Sequence, residues 1–369
     1  MPNMLSLLHF AEHYVERIWG GRRLQSAYGK PLPPDIPVGE AWLISDHPSA
    51  VSVVDEGPHA GRTIHELVAS DTKSLLGTAA SPTIHGRFPL LLKLLDSSDY
   101  LSVQVHPDDA CAQRLGEPDV GKTEMWHVLK SEQGGQLFCG LDPAATPESL
   151  AETIRSGTLE SLLPRFTVQP GDSVFVPAGT IHAIGPGLVL AEIQQNSDLT
   201  YRLYDWGRVQ SDGTPRALHV DKSVEATHFA ERHPGKALPL AVGDAQAPRS
   251  ILAACRYFAA ERIDLNGAFS RQTRHASFHI ILSLAGALTV ECDGSSRELP
   301  PAEALLVPAS VSAYGIRGHG SCLDYYVPEF EQDIAVPLRA SGADEATVLS
   351  MRQGFPGVTG SAKLFHNGA

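Results

Sequence analysis

Four side chains that could bind a metal ion lie in short polar clusters between residues 101 and 182. Gln104 and His106 are two residues apart in a strand-like run, so they share one face while the neighbouring valines share the other. Glu124 ends a second polar cluster, and His182 follows a turn rich in proline and glycine. Two imidazole nitrogens and two side-chain oxygens suit zinc or a similar borderline divalent ion. These residues therefore predict one metal site.

Taken singly, each cluster has a simpler explanation as structural residues. A lone histidine in a β protein usually packs in the core or lies at the surface, and the His-Pro-Asp sequence at 106–108 is typical of a turn. Their conjunction favours a function, because all three clusters occupy strand-like contexts in one segment. Each also places a further polar group, Ser102, Lys122 or Thr180, where the apolar pattern would otherwise continue.

Two further stretches bring polar groups into apolar surroundings. Lys93 lies in the apolar run 88–95, where it faces either solvent or a pocket that contains a charge partner. Later in the chain, alternation places Glu192, Gln194 and Asn196 on one face of a strand. So many hydrogen-bonding groups on one face indicate that the strand lines a polar space.

The segment after this strand contains an arginine with a possible carboxylate partner. Arg202 and Tyr204 are expected to project together from a strand, because they are two residues apart. Asp205 could hold the guanidinium group in place. Arginine stays protonated in proteins, so Arg202 suits charge stabilisation and cannot serve as a base.

The composition is that of a globular protein large enough for two domains, with 369 residues of which 43% are hydrophobic and 19% charged. The 33 glycines and 27 prolines indicate many turns and hence β structure. A formal net charge of -13 argues against nucleic acid as a partner. An anionic ligand would need local positive charge, which Lys93, Lys122 and Arg202 could supply.

Cysteine usage and the lack of long apolar runs indicate a soluble, cytoplasmic protein without a membrane partner. The five cysteines are odd in number, widely spaced and free of any Cys-x-x-Cys pair, which is typical of a reducing compartment. Residues 1–10 have no basic region before their broken apolar run, and no later run approaches membrane-spanning length.

A weak internal repeat indicates two similar β domains. Residues 170–178 recur as 301–309 with the prolines in register, and residues 278–290 repeat the upstream layout of strand, glycine and strand.

Apolar residues at mostly helical spacing predict a helix at residues 63–76, where a break is expected near Asp71 because this residue could cap a second helix.

The repeat also predicts which copy binds the metal. Carried forward, the register places Ala313 where His182 stands in the first copy. We therefore expect a second barrel without this ligand and a single metal ion per chain. His275 and His279 are then expected to be core or surface residues.

The polar clusters together resemble the type I mannose-6-phosphate isomerases. The matching motifs are Gln104-x-His106, Lys122-Thr123-Glu124, the run 170–183, Glu192 and the segment 201–205. In that family, zinc is bound by a glutamine, two histidines and a glutamate on a cupin jelly roll. The match is closest to the shorter bacterial members, which lack a large helical insertion.

This resemblance implies a mainly β protein of two cupin (jelly-roll) β-barrels with a few short helices. It covers residues 10–220 strongly, which implies an N-terminal metal-binding catalytic domain at residues 1–220. Residues 221–369 would then form a degenerate second cupin. The Gly- and Ala-rich tail at 330–369 departs from the family pattern.

The resemblance also implies zinc-dependent interconversion of mannose 6-phosphate and fructose 6-phosphate through an enediolate. Moving a proton between C2 and C1 requires a base and a group that stabilises charge on oxygen, and zinc can act as a Lewis acid. Glu192 and Lys122 are candidates for proton handling, and Arg202 is a candidate for charge stabilisation. Ser102, Lys93 and Lys122 could share the phosphate of this small-molecule partner.

Two other functional classes remain open. A different metal-dependent cupin enzyme, such as a dioxygenase, would more often present a His-x-His pair and iron, and Gln104 in the first position speaks against it. A sugar-phosphate-binding or purely structural cupin would not need Lys122, Glu192 and Arg202 to face one metal. A monomer or a weak homo-oligomer is expected.

Overall fold

The computed structural model describes residues 5–210, 212–230, 235–243, 248–351 and 355. The described chain is mainly β, as expected, and it divides into two compact units. The first unit comprises Met1–His13, Leu43–Leu90 and Ala237–Ala369, and the second comprises Tyr14–Trp42 and Leu91–Lys236. The domain boundary at residue 220 stays a prediction. None of the described helices has the length and apolar character needed to span a membrane.

The described strands are, in chain order, β1 (His13–Gly21), β2 (Val38–Ile44), β3 (Asp46–His47), β4 (Ala50–Val51), β5 (Leu90–Ser97), β6 (Val103–Val105), β7 (Glu124–Ser131), β8 (Gln136–Cys139), β9 (Arg165–Thr167), β10 (Ser173–Val176), β11 (His182–Ile184), β12 (Leu188–Gln195), β13 (Tyr201–Tyr204), β14 (Leu240–Val242), β15 (Arg249–Ala254), β16 (Ala259–Gln272), β17 (His279–Cys292), β18 (Ser295–Leu299), β19 (Ala304–Val307) and β20 (Ala313–Tyr326). The α-helices are α1 (Arg23–Tyr28), α2 (Ile64–Ser70), α3 (Thr72–Leu76), α4 (Asp109–Arg114), α5 (Pro147–Ser156), α6 (Val220–Ala226), α7 (Val336–Ala340) and α8 (Glu345–Met351). Short 3-10 helices cover Gly57–His59 and Leu159–Leu162, and a π-helical turn covers Phe330–Ala335.

Helices α2 to α5 begin at residues whose side chains cap them. Thr146 caps α5 by accepting a hydrogen bond from the Ser149 amide, Pro147 occupies the first turn, and Gly157 ends the helix in the left-handed conformation. The predicted break in residues 63–76 is confirmed. Asp71 separates α2 from α3, and its carboxylate accepts from the Ser74 amide.

Two sheets form the jelly roll of the second unit. One has the strand order β1-β2-β5-β12-β7-β10 and the other β13-β6-β11-β8-β9. Trp126 from the larger sheet and Leu137 from the smaller sheet share one core cluster, so this core lies between the sheets. Val103 and Val105 instead pack with residues of α5 on the other face of the smaller sheet. The alternation along β6 therefore turns Gln104 away from this helix-covered face.

A seven-stranded sheet dominates the first unit, with order β14-β15-β16-β20-β17-β18 and β19 also paired to β17. Ala313 opens β20 as His182 opens β11, which agrees with the predicted register of the repeat. Leu338 of α7 and Val348 of α8 pack in one cluster with Val242 and Ile251. Part of the C-terminal tail thus covers this sheet, and residues 352–354 and 356–369 of the tail lie outside the described residues.

Candidate metal centre and active site

His106, Glu124 and His182 form a buried cluster in the second unit. Their ligand atoms all lie within 4.8 Å of one another, and no other trio of this kind occurs in the described ranges. Pairing of β11 with β6 places His182 opposite Gln104, and the side-chain amide nitrogen of Gln104 lies 3.3 Å from His182 Nε2. The structure therefore brings the four predicted ligands together from three strands.

Both imidazole rings are held so that Nε2 faces the cluster. His106 Nδ1 donates to the Leu199 carbonyl at 2.7 Å, and His182 Nδ1 donates to the Thr180 carbonyl at 2.9 Å. These bonds fix the tautomers, so Nε2 carries the lone pair in each ring. Burial lowers the pKa of His106 well below its usual range and lowers that of His182 to about 4. Both rings are therefore neutral near pH 7, as metal binding requires.

Glu124 supplies the test of whether a cation fits. Neither of its buried carboxylate oxygens accepts a hydrogen bond of good geometry among the described residues, although Lys122 Nζ lies 2.7 Å from Oε2. Glu124 Oε2 lies 3.5 Å from His106 Nε2, and Glu124 Oε1 lies 3.3 Å from His182 Nε2. Two imidazole lone pairs and a carboxylate within 4.8 Å of one another form a set of donors that a divalent cation fits. The donor set, completed by the Gln104 amide oxygen after a flip of that group, suits zinc.

The metal-free protein is expected to lose stability as the pH falls from about 6.5 to about 4. A histidine in the unfolded chain takes up a proton near 6.5, whereas the pKa of folded His182 is lowered to about 4. The unfolded state binds more protons between these values, so stability rises with pH across the window. For one buried histidine this amounts to on the order of 3 kcal/mol.

Urea unfolding of EDTA-treated protein across this window measures the effect. His182→Gln removes the titrating ring, so the variant should show a flatter pH dependence than the parent chain. A difference between the two proteins that does not change with pH would contradict the depressed pKa of His182.

The polar face of β12 meets Lys93 beside this cluster. Lys93 is 3% exposed, and its ammonium lies 3.2 Å from Glu192 Oε1 and 3.9 Å from Glu40 Oε2. Trp126 Nε1 donates to the other Glu192 oxygen at 2.9 Å, and Lys122 Nζ lies 3.9 Å from Oε1. Lys93 therefore does not face solvent, and it has the charge partners that the alternative of a buried lysine requires.

Glu40 is a site residue that the sequence reasoning missed. It accepts hydrogen bonds from Arg17 at 2.8 Å and from Trp42 Nε1 at 2.7 Å. Burial alone would raise its pKa, but Lys93 and Arg17 outweigh burial and lower the pKa to about 2. The available signal was the alternation in β2, which puts Glu40 and Trp42 on one face of an otherwise apolar strand.

Replacing Lys93 by methionine is expected to destabilise the fold by about 3–5 kcal/mol, because Glu192 and Glu40 would be left buried without this cation. Lys222→Met is the matched control, since Lys222 pairs with Glu117 while 46% of its side chain stays exposed. Such a surface pair is worth about 0–1 kcal/mol. Chemical denaturation measures both variants, and equally small losses would show that Lys93 does not compensate the two carboxylates.

The prediction that Asp205 holds the Arg202 guanidinium is wrong. Asp205 accepts hydrogen bonds from Arg208 at 2.6 Å and from Arg216 at 2.5 and 2.7 Å, so its oxygens are already engaged. Arg202 instead donates from Nη1 to the Ala217 carbonyl at 3.1 Å, and its Nε has no hydrogen-bond partner in the described chain. Burial, followed by the charge of Arg216, lowers the pKa of Arg202.

The expectation that Tyr204 projects with Arg202 is also wrong. The register of β13 against β6 shifts between these two residues, so Arg202 lies opposite Gln104 while Tyr204 lies opposite Val103. Tyr204 consequently packs against Trp206, with 5.3 Å between ring centroids, in the cluster beneath the helices. The bulge sends only Arg202 to the side of the metal cluster.

Three further polar residues predicted near the site are buried. Ser102 is 4% exposed and shares the alternation of Gln104. Gln194 donates to the carbonyls of its own chain at Gln195 and Ser197. Both amide atoms of Asn196 are buried without a hydrogen-bond partner in the described chain. The unsatisfied amide atoms of Asn196 support the prediction of a polar lining.

Comparisons with known proteins agree with this geometry. Residues 7–124 match the family described as phosphomannose isomerase type I, catalytic domain, and residues 257–356 match the AraC-like ligand binding domain. The chain is 35% identical over 303 residues to mannose-6-phosphate isomerase of Streptococcus mutans, which covers 82% of this chain and 92% of that protein. It is 34% identical over 322 residues to mannose-6-phosphate isomerase ManA of Bacillus subtilis, covering 86% and 97%.

A solved structure agrees as well. The crystal structure of mannose 6-phosphate isomerase from Bacillus subtilis aligns with a TM-score of 0.79 at 32% identity, over 87% of this chain and 99% of that one. The fold and the buried cluster define the class, a two-cupin protein with a His/Glu/His centre suited to a metal ion. Within that class the relatives define the family. The chain belongs to the type I mannose-6-phosphate isomerases, and it is an isomerase.

Proposed function

We propose that this enzyme interconverts mannose 6-phosphate and fructose 6-phosphate through an enediolate and depends on one zinc ion per chain. The observation that carries the proposal is the convergence of the buried Glu124 carboxylate with the Nε2 atoms of His106 and His182, at 3.5 and 3.3 Å. Gln104 would complete the ligand set. The printed names of the relatives support the substrate pair.

Glu192 and Lys122 would handle the proton that moves between C2 and C1. Glu192 is held by Trp126 at one oxygen, while its other oxygen lies between the Lys93 and Lys122 ammonium groups at 3.2 and 3.9 Å. A carboxylate fixed in this way is oriented for proton transfer. Zinc, when bound, would supply Lewis-acid polarisation of the sugar oxygens. Arg202 would stabilise negative charge that develops on the substrate.

The phosphate group requires further cationic or hydroxyl partners. Ser102, Lys93 and Lys122 are the proposed candidates, of which Ser102 shares the alternation of Gln104. Lys93 is engaged with Glu192 and Glu40, so a phosphate contact would compete with these carboxylates. A phosphate role for Lys93 would appear as a raised KM after substitution to arginine, which keeps the charge.

The decisive experiment is an isomerase assay on protein stripped with EDTA and then reconstituted with zinc. Turnover of mannose 6-phosphate should vanish on stripping and return with one equivalent of zinc. In deuterated water, an enediolate allows the carbon-bound proton to exchange with solvent, which NMR of the product detects. Absence of turnover would refute the substrate pair, whereas turnover that survives stripping would refute zinc dependence.

The cellular setting is part of the same proposal. All five cysteines are buried and free, as suits a reducing compartment, so we infer a cytoplasmic location. The net charge of -13 supports the expectation that nucleic acid is not a partner. A monomer or weak homo-oligomer is expected, and sedimentation over a range of concentrations tests it.

A further inference from the structure

The first unit contains a cavity of about 140 Å³ that the proposed isomerase reaction does not use. It is lined by the end of β16, the following loop, His279 at the start of β17, and Tyr326 at the end of β20. Its size is close to that of the roughly 150 Å³ protein cavity that holds a six-membered ring. Most of these residues fall in the stretch 257–356 that matches a ligand binding domain.

A buried ionic network contributes two arginines, Arg249 and Arg271, to the lining of this cavity. Glu261 and Asp324 lie opposite each other on β16 and β20 and are 1% and 0% exposed. Arg271 bridges them, donating to Glu261 at 2.6 Å and also to Asp324. Arg249 donates to Glu261 at 2.7 Å. Two carboxylates in directly opposed positions would repel each other without these guanidinium groups.

Stability alone does not account for this network. Two residues further along the same strands, the next opposed pair on this face is Ile263 and Cys322, which belong to an apolar core cluster. Apolar residues could therefore fill this sheet, and buried ion pairs are often no more stabilising than apolar residues of similar volume. Four members of the network, Arg249, Arg271, His279 and Tyr326, line the cavity, which indicates a role in ligand binding.

The same lining presents aromatic faces and oriented hydrogen-bonding groups. His279 Nδ1 donates to Asp324 at 2.9 Å, which leaves the lone pair on Nε2 of a ring that lines the cavity. Tyr326 donates its hydroxyl hydrogen to Glu261, and its ring lies 4.9 Å from His279 and 5.1 Å from the Arg271 guanidinium. Flat rings beside fixed donors and acceptors suit a small hydroxylated molecule.

Charge balance decides between an anionic and a neutral ligand. Glu261 and Asp324 compensate Arg249 and Arg271, as described above. Arg274, at the rim, is held by Asp333 at 2.7 Å and by Glu329 at 3.2 Å. No cation among the described lining residues lacks a carboxylate partner, so a phosphate would gain little on entry.

We propose that this cavity binds one neutral polyol of monosaccharide size, recognised by the Arg271 network and the rings of His279 and Tyr326. Its hydroxyl groups would exchange hydrogen bonds with Arg249 and Gln272 at the open side, where both residues line the cavity. Every residue of the site lies in the first unit, whereas the metal cluster lies in the second. Binding should therefore be independent of the isomerase centre.

Isothermal titration of the full chain with D-mannose, D-fructose and D-mannitol tests the proposal, with mannose 6-phosphate as the anionic comparison. We expect saturable 1:1 binding of at least one neutral probe, and the same affinity in the His182→Ala chain. Arg249→Met should weaken that binding about tenfold, since it removes a charged hydrogen-bond donor. Arg262→Met is the matched control, because Arg262 pairs with Asp264 on β16 and does not line the cavity.

Melting temperatures show whether each variant is folded, and Gln272→Ala at the exposed rim replaces Arg249→Met if that chain fails to fold. Absence of saturable binding by all three neutral probes would overturn the proposal. Tighter binding of mannose 6-phosphate in the His182→Ala chain would overturn the neutral class of ligand. Equal affinities in the Arg249→Met and Arg262→Met variants would mean that the network is only structural.

Discussion

Replacing His182 by alanine is expected to remove most of the bound zinc and to lower isomerase activity by at least about a hundredfold. Removing a residue that only hydrogen-bonds to a metal ligand already costs about 10–100-fold in metal affinity. Removing a ligand itself should cost more. His182 is fully buried with its Nε2 3.3 Å from Glu124, and among the described residues no further His, Cys, Asp or Glu belongs to the cluster to replace it. Metal analysis after dialysis against a zinc buffer measures the loss.

His275→Asn is the matched control for this experiment. His275 Nδ1 lies 2.8 Å from the Ala309 carbonyl, as His182 Nδ1 lies 2.9 Å from Thr180, but it is outside the metal cluster. Its φ of 55° is tolerated by asparagine. A full equivalent of zinc in His182→Ala would mean that the ligand assignment is wrong. A second equivalent that depends on His275 would contradict the expectation of one ion per chain.

The candidate metal ligands were individually recognisable from the sequence because their faces depend on strand alternation. Gln104 and His106 needed only the two-residue period, and His182 needed only a strand beginning after a turn. Which strand lies beside which could not be read in this way. The pairing of β6 with β11 is a contact over 78 residues along the chain, and alternation does not specify such partners.

The errors have the same physical origin. Proximity in sequence pairs Arg202 with Asp205, whereas the folded chain brings Arg208 and Arg216 to that carboxylate. Alternation alone puts Tyr204 on the wrong face, because a bulge adds one residue to the strand and reverses the alternation after it. Glu40 was missed because its partners Arg17 and Lys93 are distant in sequence.

The fold itself followed from more redundant signals. The repeat at 170–178 and 301–309 predicts two related barrels, and both copies contain the corresponding strands, β10 and β19. Helix α5 was recognisable from its caps. The helices of the C-terminal tail were not recognised, because α7 and α8 are short and are stabilised by packing against β14 and β15.

The register of the smaller sheet gives Arg202 a definite place in the site. Arg202 on β13, Gln104 on β6 and His182 on β11 lie opposite one another in a continuous row across three strands. Residues opposed in this way project from the same face of a sheet. Its Nε has no partner in the described chain, and the carboxylate of Asp205 is already engaged, so the guanidinium keeps donor capacity for a substrate oxygen.

Arg202→Ala is therefore expected to reduce turnover of mannose 6-phosphate by on the order of a hundredfold, or about 3 kcal/mol, while zinc content and melting temperature stay near those of the parent chain. Arg202→Lys keeps the charge but loses the planar fork, so it should recover only part of the activity. Arg114→Ala, which removes an exposed arginine paired with Glu225, is the control and should be fully active. Near-normal turnover in Arg202→Ala would exclude Arg202 from the mechanism, and loss of zinc or of folding would give it a structural role instead.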